Sequence, residues 1–100
     1  MKRNFKVVIR NYRGGLMTDS NGQPQMMNEV LGLHLFNGSN NSVKADDESL
    51  KRAYNLSVQM HTKPSEVECT TEDLTMIKEV AKASLVPGVY CQIVKLIEQD

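Results

Sequence analysis

The stretch "KRNFKVVIRNYRGG", residues 2–15, decides how this chain is read. Five basic residues and no acid precede a glycine pair. Such a stretch is either a strand and loop that grip phosphate or a solvated strand with its turn. Phe5, Val7 and Ile9 fall on one side, and Lys2, Lys6 and Arg10 on the other, with Val8 the exception. Alternation of period two means that one face packs on a core and the other meets water. Val and Ile suit that pleated surface, and lysines on it discourage edge-to-edge pairing between molecules. The spacing therefore predicts a half-exposed strand over residues 4–10, with its cations outward.

The totals agree with a small folded domain. One hundred residues make one domain, residues 1–100. With 40% hydrophobic and 24% charged residues, the composition is ordinary for a globular protein. Net charge is zero, so no whole-molecule field draws in nucleic acid or anionic lipid. Apolar runs are too short to span a membrane. The basic amino end lacks an apolar signal region, so a reduced, cytoplasmic setting is expected. Cys69 and Cys91 form no CxxC pair, and with His34 and His61 they make a poor metal site. No cofactor is implied. Three Asn-x-Ser triplets, at residues 37–39, 40–42 and 55–57, read as chance in that setting.

After the first strand, "DSNG" at residues 19–22 reads as a tight turn, flanked by strand arms at Leu16–Met17 and Gln25–Met27. "MNEVLGLHLFNG" predicts a short helix capped by Asn28 and stopped by Asn37-Gly38. Its apolar residues leave little polar surface, which predicts the most buried helix. Gly32 inside it predicts the close approach of another element. A second helix follows Asp46, Asp47 and Glu48, acids suited to a helix N-terminus. Its inward face is expected at Leu50, Ala53, Tyr54, Ser57, Met60 and His61, with Leu56 flanking. Pro64 ends it.

"SEVEC" alternates and is a candidate strand over 66–69 beside the first, which would set its acids near Lys6 and Arg10. "TTEDLTMIKEVAKAS" is the clearest helix, capped at Thr70 or Thr71 with Leu74, Ile77 and Ala81 inward. Pro87 then starts a last helix carrying Val89, Tyr90, Ile93, Leu96 and Ile97. No internal repeat, linker or low-complexity segment is legible. The expected architecture is α+β: a small antiparallel sheet of N-terminal strand and hairpin, joined by 66–69, packed with about four helices.

Function is less legible. The glycines near the amino end lack the GxxxxGK[ST] or GxGxxG spacing of a phosphate loop, and Asp19 would repel an anion. No nucleophile elbow, HExxH or thiol signature points to an enzyme. His34 reads as a satisfied core or boundary histidine, and His61 as a helix-terminal one. Protein contact is the favoured mode. Met17, Met26 and Met27 around the hairpin, beside Tyr12, would give a soft contact patch. Glu66, Glu68, Glu72 and Asp73 form the candidate acidic patch. The last helix offers a further stripe, Tyr90 and Val94 with Cys91 nearby, for a homodimer. The alternative is nucleic-acid binding, in which Lys2, Arg3, Lys6, Arg10 and Arg13 track a backbone and Tyr12 stacks on a base.

The order of a short opening strand, a "D…NG.P" turn, "MMNEVLGLHL", an acid-capped central helix, "TTEDLTMIKEVAK" and "PGVYCQIVKLIE" resembles small proteins encoded by tailed phages and prophages. That resemblance implies a mobile element acting inside a bacterial cell. In that setting, and with no catalytic signature in the chain, the favoured function is that of a non-enzymatic accessory protein working by stoichiometric contact with a host or phage protein. Two roles fit: phage assembly, or inhibition of a host defence complex in the manner of anti-CRISPR proteins.

Overall fold

The outward-cation, inward-apolar reading of the first stretch holds in the folded chain. Phe5 and Ile9 are fully buried, Val7 is half-buried, and Lys6 and Arg10 are exposed. A computed structural model describes residues 1–98 and orders them β1 (Lys2–Arg3), α1 (Met27–Asn37), α2 (Asp47–Thr62), β2 (Val67–Glu68), α3 (Thr71–Ser84) and α4 (Pro87–Ile97). The fold is α+β, with four helices and a small antiparallel sheet of β1 and β2.

Residues 66–69 do join the first strand, but in a register that pairs Lys2 with Glu68 and Arg3 with Val67. The acids of this segment therefore lie beside Lys2 rather than Lys6 and Arg10. The ladder is also shorter than the alternation suggests. At Phe5 the backbone N–H leaves the sheet to donate to Pro64 O at 2.7 Å, and its carbonyl accepts from Asn28 N at 3.0 Å. Arg3 is drawn inward as well. Its Nε donates to Ile97 O at 3.1 Å, where the last carbonyls of α4 lack helical partners.

Beyond Phe5 the chain builds a closed ring in place of a simple hairpin. Ile9 N donates to Gln25 O at 2.9 Å, Gln25 N to Met17 O at 2.8 Å, and Met17 N to Ile9 O at 2.9 Å. Each of three extended segments thus pairs with both others, through the contacts Val8–Met26, Arg10–Leu16 and Thr18–Pro24. The expected hairpin arms do pair, Met17 with Gln25 and Thr18 with Pro24 across the turn at 19–22; what the sequence reading did not show is that this turn repeats the preceding one at a spacing of eight residues. In the first unit Asn11 Oδ1 accepts from Arg13 N and Gly15 N, both at 3.0 Å. In the second, Asp19 Oδ1 accepts from Asn21 N at 2.8 Å and Gln23 N at 3.0 Å. Gly14 and Gly22 hold equivalent left-handed positions, φ 82° and 79°. An Asn or Asp and a glycine are all that the two turns need in common, so little identity betrays the repeat.

Two glutamines finish the strand edges. Gln92 of α4 accepts from Arg10 N at 2.8 Å and donates to Arg10 O at 2.9 Å. Gln59 of α2 accepts from Glu68 N at 2.9 Å and donates to Glu68 O at 3.3 Å. Each side-chain amide replaces a missing neighbouring strand, satisfying one donor and one acceptor.

Helix ends follow local chemistry. Asp46 caps α2, accepting from Ser49 N at 3.0 Å, and that bond holds its carboxyl below the usual carboxylate value. Thr70 and Asp73 form a reciprocal capping box at the start of α3. Arg52 of α2 reaches across to Asp73 at 2.8 Å, tying the two helices together. Gly38 closes α1 in the left-handed conformation, with its N–H on His34 O. Pro87 occupies the first turn of α4. Asn28 departs from expectation: α1 begins at Met27, two residues earlier than a cap at Asn28 implies and without a side-chain cap, and Asn28 Nδ2 donates instead to Met60 O at 2.9 Å.

Candidate functional site

Helix α1 is apolar on more than one face, and one element cannot cover all of it. Met27, Leu31 and Leu35, at four-residue spacing, are buried in the core. Leu33 and Phe36 point away from it and are 61% and 63% exposed. The helix read as the most buried from its lack of polar residues therefore presents a second apolar side to solvent. Gly32 meets the expectation made for it. A Cβ placed there would lie 3.1 Å from Met60 Cβ and 3.8 Å from Ser57 O, so its absence lets α2 approach.

The two helices run antiparallel. Asn28 sits against Met60, Gly32 against Met60 and Ser57, and Phe36 against Tyr54, with ring centroids 6.3 Å apart. The packing rotates α2 from the orientation expected from its sequence. Ala53, Leu56, Ser57 and Met60 are buried, whereas Leu50, Tyr54 and His61 are exposed, and so is Val58. Leu50, Tyr54 and Val58 consequently form an outward stripe at four-residue spacing, parallel to Leu33 and Phe36. Between the stripes lies a groove of about 490 Å³, with Glu29 and His61 at one end. Neither lysine nor arginine lines it. An apolar trough flanked by helix ridges is the shape that receives another helix.

The other sequence-derived candidates are dispersed. Met27 is core, and Met17 and Met26 are half-buried, so the hairpin methionines do not assemble into the expected patch beside Tyr12. Tyr12 stands fully exposed on the first turn, with Arg13 also exposed. In the acidic set, Glu66, Glu68 and Glu72 are exposed, but Asp73 is turned to Arg52 and to its own helix cap. Among the cations, Lys2 faces Glu68 across the sheet and Arg3 is engaged by α4. Lys6, Arg10 and Arg13 remain exposed. On α4, Tyr90 and Val94 are half-buried and Cys91 is exposed. His34 is satisfied by Ser39, Nδ1 to Oγ 2.9 Å.

The two thiols differ sharply. Cys69 is buried, and that desolvation pushes its pKa from 9.0 up to about 11. Because the folded value lies above the unfolded one and the thiol is neutral when protonated, its contribution to stability is complete below pH 9. It is lost as pH rises toward 11. Iodoacetamide at pH 8 will therefore modify one thiol per native chain, Cys91, and two after denaturation, read by intact mass. Rapid labelling of Cys69 in the native protein would refute its placement.

No protein-family model matches the chain, and neither a curated protein nor a solved structure does. No helix among the described residues is long and apolar enough to cross a membrane. The groove was missed at the sequence level, although its signal was present. A short helix with apolar residues all round either lies deep in a core or lends one side to a partner, and in a chain of this size the second solution is the economical one.

Proposed function

We propose that this protein is a non-enzymatic accessory protein that works by stoichiometric protein–protein contact, through the groove between α1 and α2. The carrying observation is the exposure of Leu33, Phe36, Tyr54 and Val58 along one continuous apolar trough. Apolar side chains gathered this way mark an interaction surface, since water contact with each is unfavourable and burial against a partner removes it. Aromatic anchors such as Phe36 and Tyr54 supply most of the affinity at contacts of this kind. The phage or prophage setting suggested by the sequence order extends the proposal to a role in phage assembly or in blocking a host defence complex. Glu66, Glu68 and Glu72 are then accessory contacts at most, since Asp73 is committed to the fold.

The test is a photo-crosslinking amino acid at Phe36 in a chain expressed in cells, with the same group at exposed Lys95 of α4 as the control. Ultraviolet light should give a discrete protein adduct from position 36 and none from position 95. Absence of any protein adduct from position 36 would remove the proposal.

A further inference from the structure

We infer that the occupant of the α1–α2 groove is a second copy of this chain, which closes two helical hairpins into a four-helix bundle. This rests on the groove being a protein-contact site and names its partner. The face is built as two ridges and one trough, from two antiparallel helices. Stacking two such faces needs no further segment and gives the up-and-down bundle that helix pairs commonly form.

The charge pattern selects the same occupant. At one end of the trough stand Glu29 and His61. Asp47, exposed and three residues before Leu50, begins the α2 stripe beyond the far end of the trough. An isologous pair has two ways to stack these faces. With the two-fold axis along the helices, α1 lies over α2 of the second copy, and Glu29 of each chain meets His61 of the other. With the axis across the helices, α2 lies over its counterpart in reverse, and Asp47 of each meets His61 of the other. In both arrangements His61 can donate a ring N–H to a carboxylate. Neither arrangement sets like charges together. A nucleic acid would find Glu29 at this trough and no lysine or arginine to release counterions.

The experiment is sedimentation equilibrium of the full chain across the micromolar range. Wild type should fit a monomer–dimer equilibrium, and Phe36→Glu should sediment as monomer. Phe36 is mostly exposed, so circular dichroism should show the same fold for that variant, and the same melting temperature as wild type at concentrations too low for dimerisation. Should Phe36→Glu fail to fold, Leu33→Glu carries the same expectation. His61→Glu should weaken dimerisation roughly tenfold or more, equivalent to about 1.4 kcal/mol. Adding Glu29→Lys restores it under the first stacking, and adding Asp47→Lys restores it under the second. A monomeric wild type, a dimer indifferent to both apolar substitutions, or restoration by neither lysine overturns the inference. The crosslink at position 36 separates the two proposals. An adduct at twice the chain mass supports both, a foreign adduct keeps the protein contact and removes the self-pairing, and no adduct removes both.

Discussion

Phe5→Ala will lower the unfolding free energy by about 3–5 kcal/mol, the range for deleting a buried aromatic ring. The loss should fall at the upper end, because the site cannot collapse around the cavity. The Phe5 ring is wholly buried, and its backbone is held on both sides, by Pro64 O at 2.7 Å and Asn28 N at 3.0 Å. Those two bonds tie the amino-terminal segment to the end of α2 and the start of α1, so the ring sits where three parts of the chain converge. Against a total of about 5–15 kcal/mol for a domain of this kind, the variant will be marginal at 37 °C. Urea denaturation of the two proteins measures it directly. As the control, Tyr12→Ala on the solvated turn should change stability by less than about 0.5 kcal/mol. A loss below about 1 kcal/mol at Phe5 would mean that the alternating segment is not anchored through its inward side.

Gly32→Val should cost about 2 kcal/mol or more, by overpacking rather than by cavity formation. The nearest obstacle is Met60 Cβ, which is fixed to the α2 backbone and cannot swing away as the end of a long side chain would. Two methyl groups beyond the added Cβ would force α1 and α2 apart along the whole trough. Alanine at the same place adds only the Cβ, and its gain in helix propensity of about 1 kcal/mol opposes the crowding. Valine gains little propensity and adds more bulk, so its sign is not in doubt. A double-mutant cycle with Met60→Gly, which removes that Cβ, identifies the cause. If the clash is with Met60, the two losses will combine to less than their sum, because each relieves the other. Strict additivity would place the strain elsewhere. Because the same separation deforms the groove, Gly32→Val should also weaken any contact made through Phe36.

Apart from the start of α1, the helix ends and the inward side of the first segment were legible because their causes are local. Asp46 caps α2 with its own carboxylate, Thr70 and Asp73 form a box within four residues, and Gly38 takes a conformation costly to other residues. Alternation at Phe5, Val7 and Ile9 identified the side that faces the core for the same reason. The eight-residue repeat escaped because its information is conformational. Two turns can share every hydrogen bond while sharing only an Asn or Asp acceptor and one glycine. The edge-covering roles of Gln59 and Gln92 escaped because nothing in sequence separates a solvated glutamine from one spanning a strand residue 9 or 82 positions away.

By itself, then, the sequence determined where α2, α3 and α4 begin and where α1 and α2 stop, that the opening segment buries alternate residues, and that another element comes close to α1 at Gly32. These depend on backbone propensity, on capping and on the period of apolar residues, all of which act over a few positions. Tertiary structure alone decided which side of α2 is inside. Ala53 and Leu56 compete there with Leu50 and Tyr54, and a helix can bury only one of two adjoining stripes. The contacts of α2 with α1 and α3 chose the first stripe, turned the second toward Leu33 and Phe36, and so made a groove from residues that spacing alone had assigned to the core.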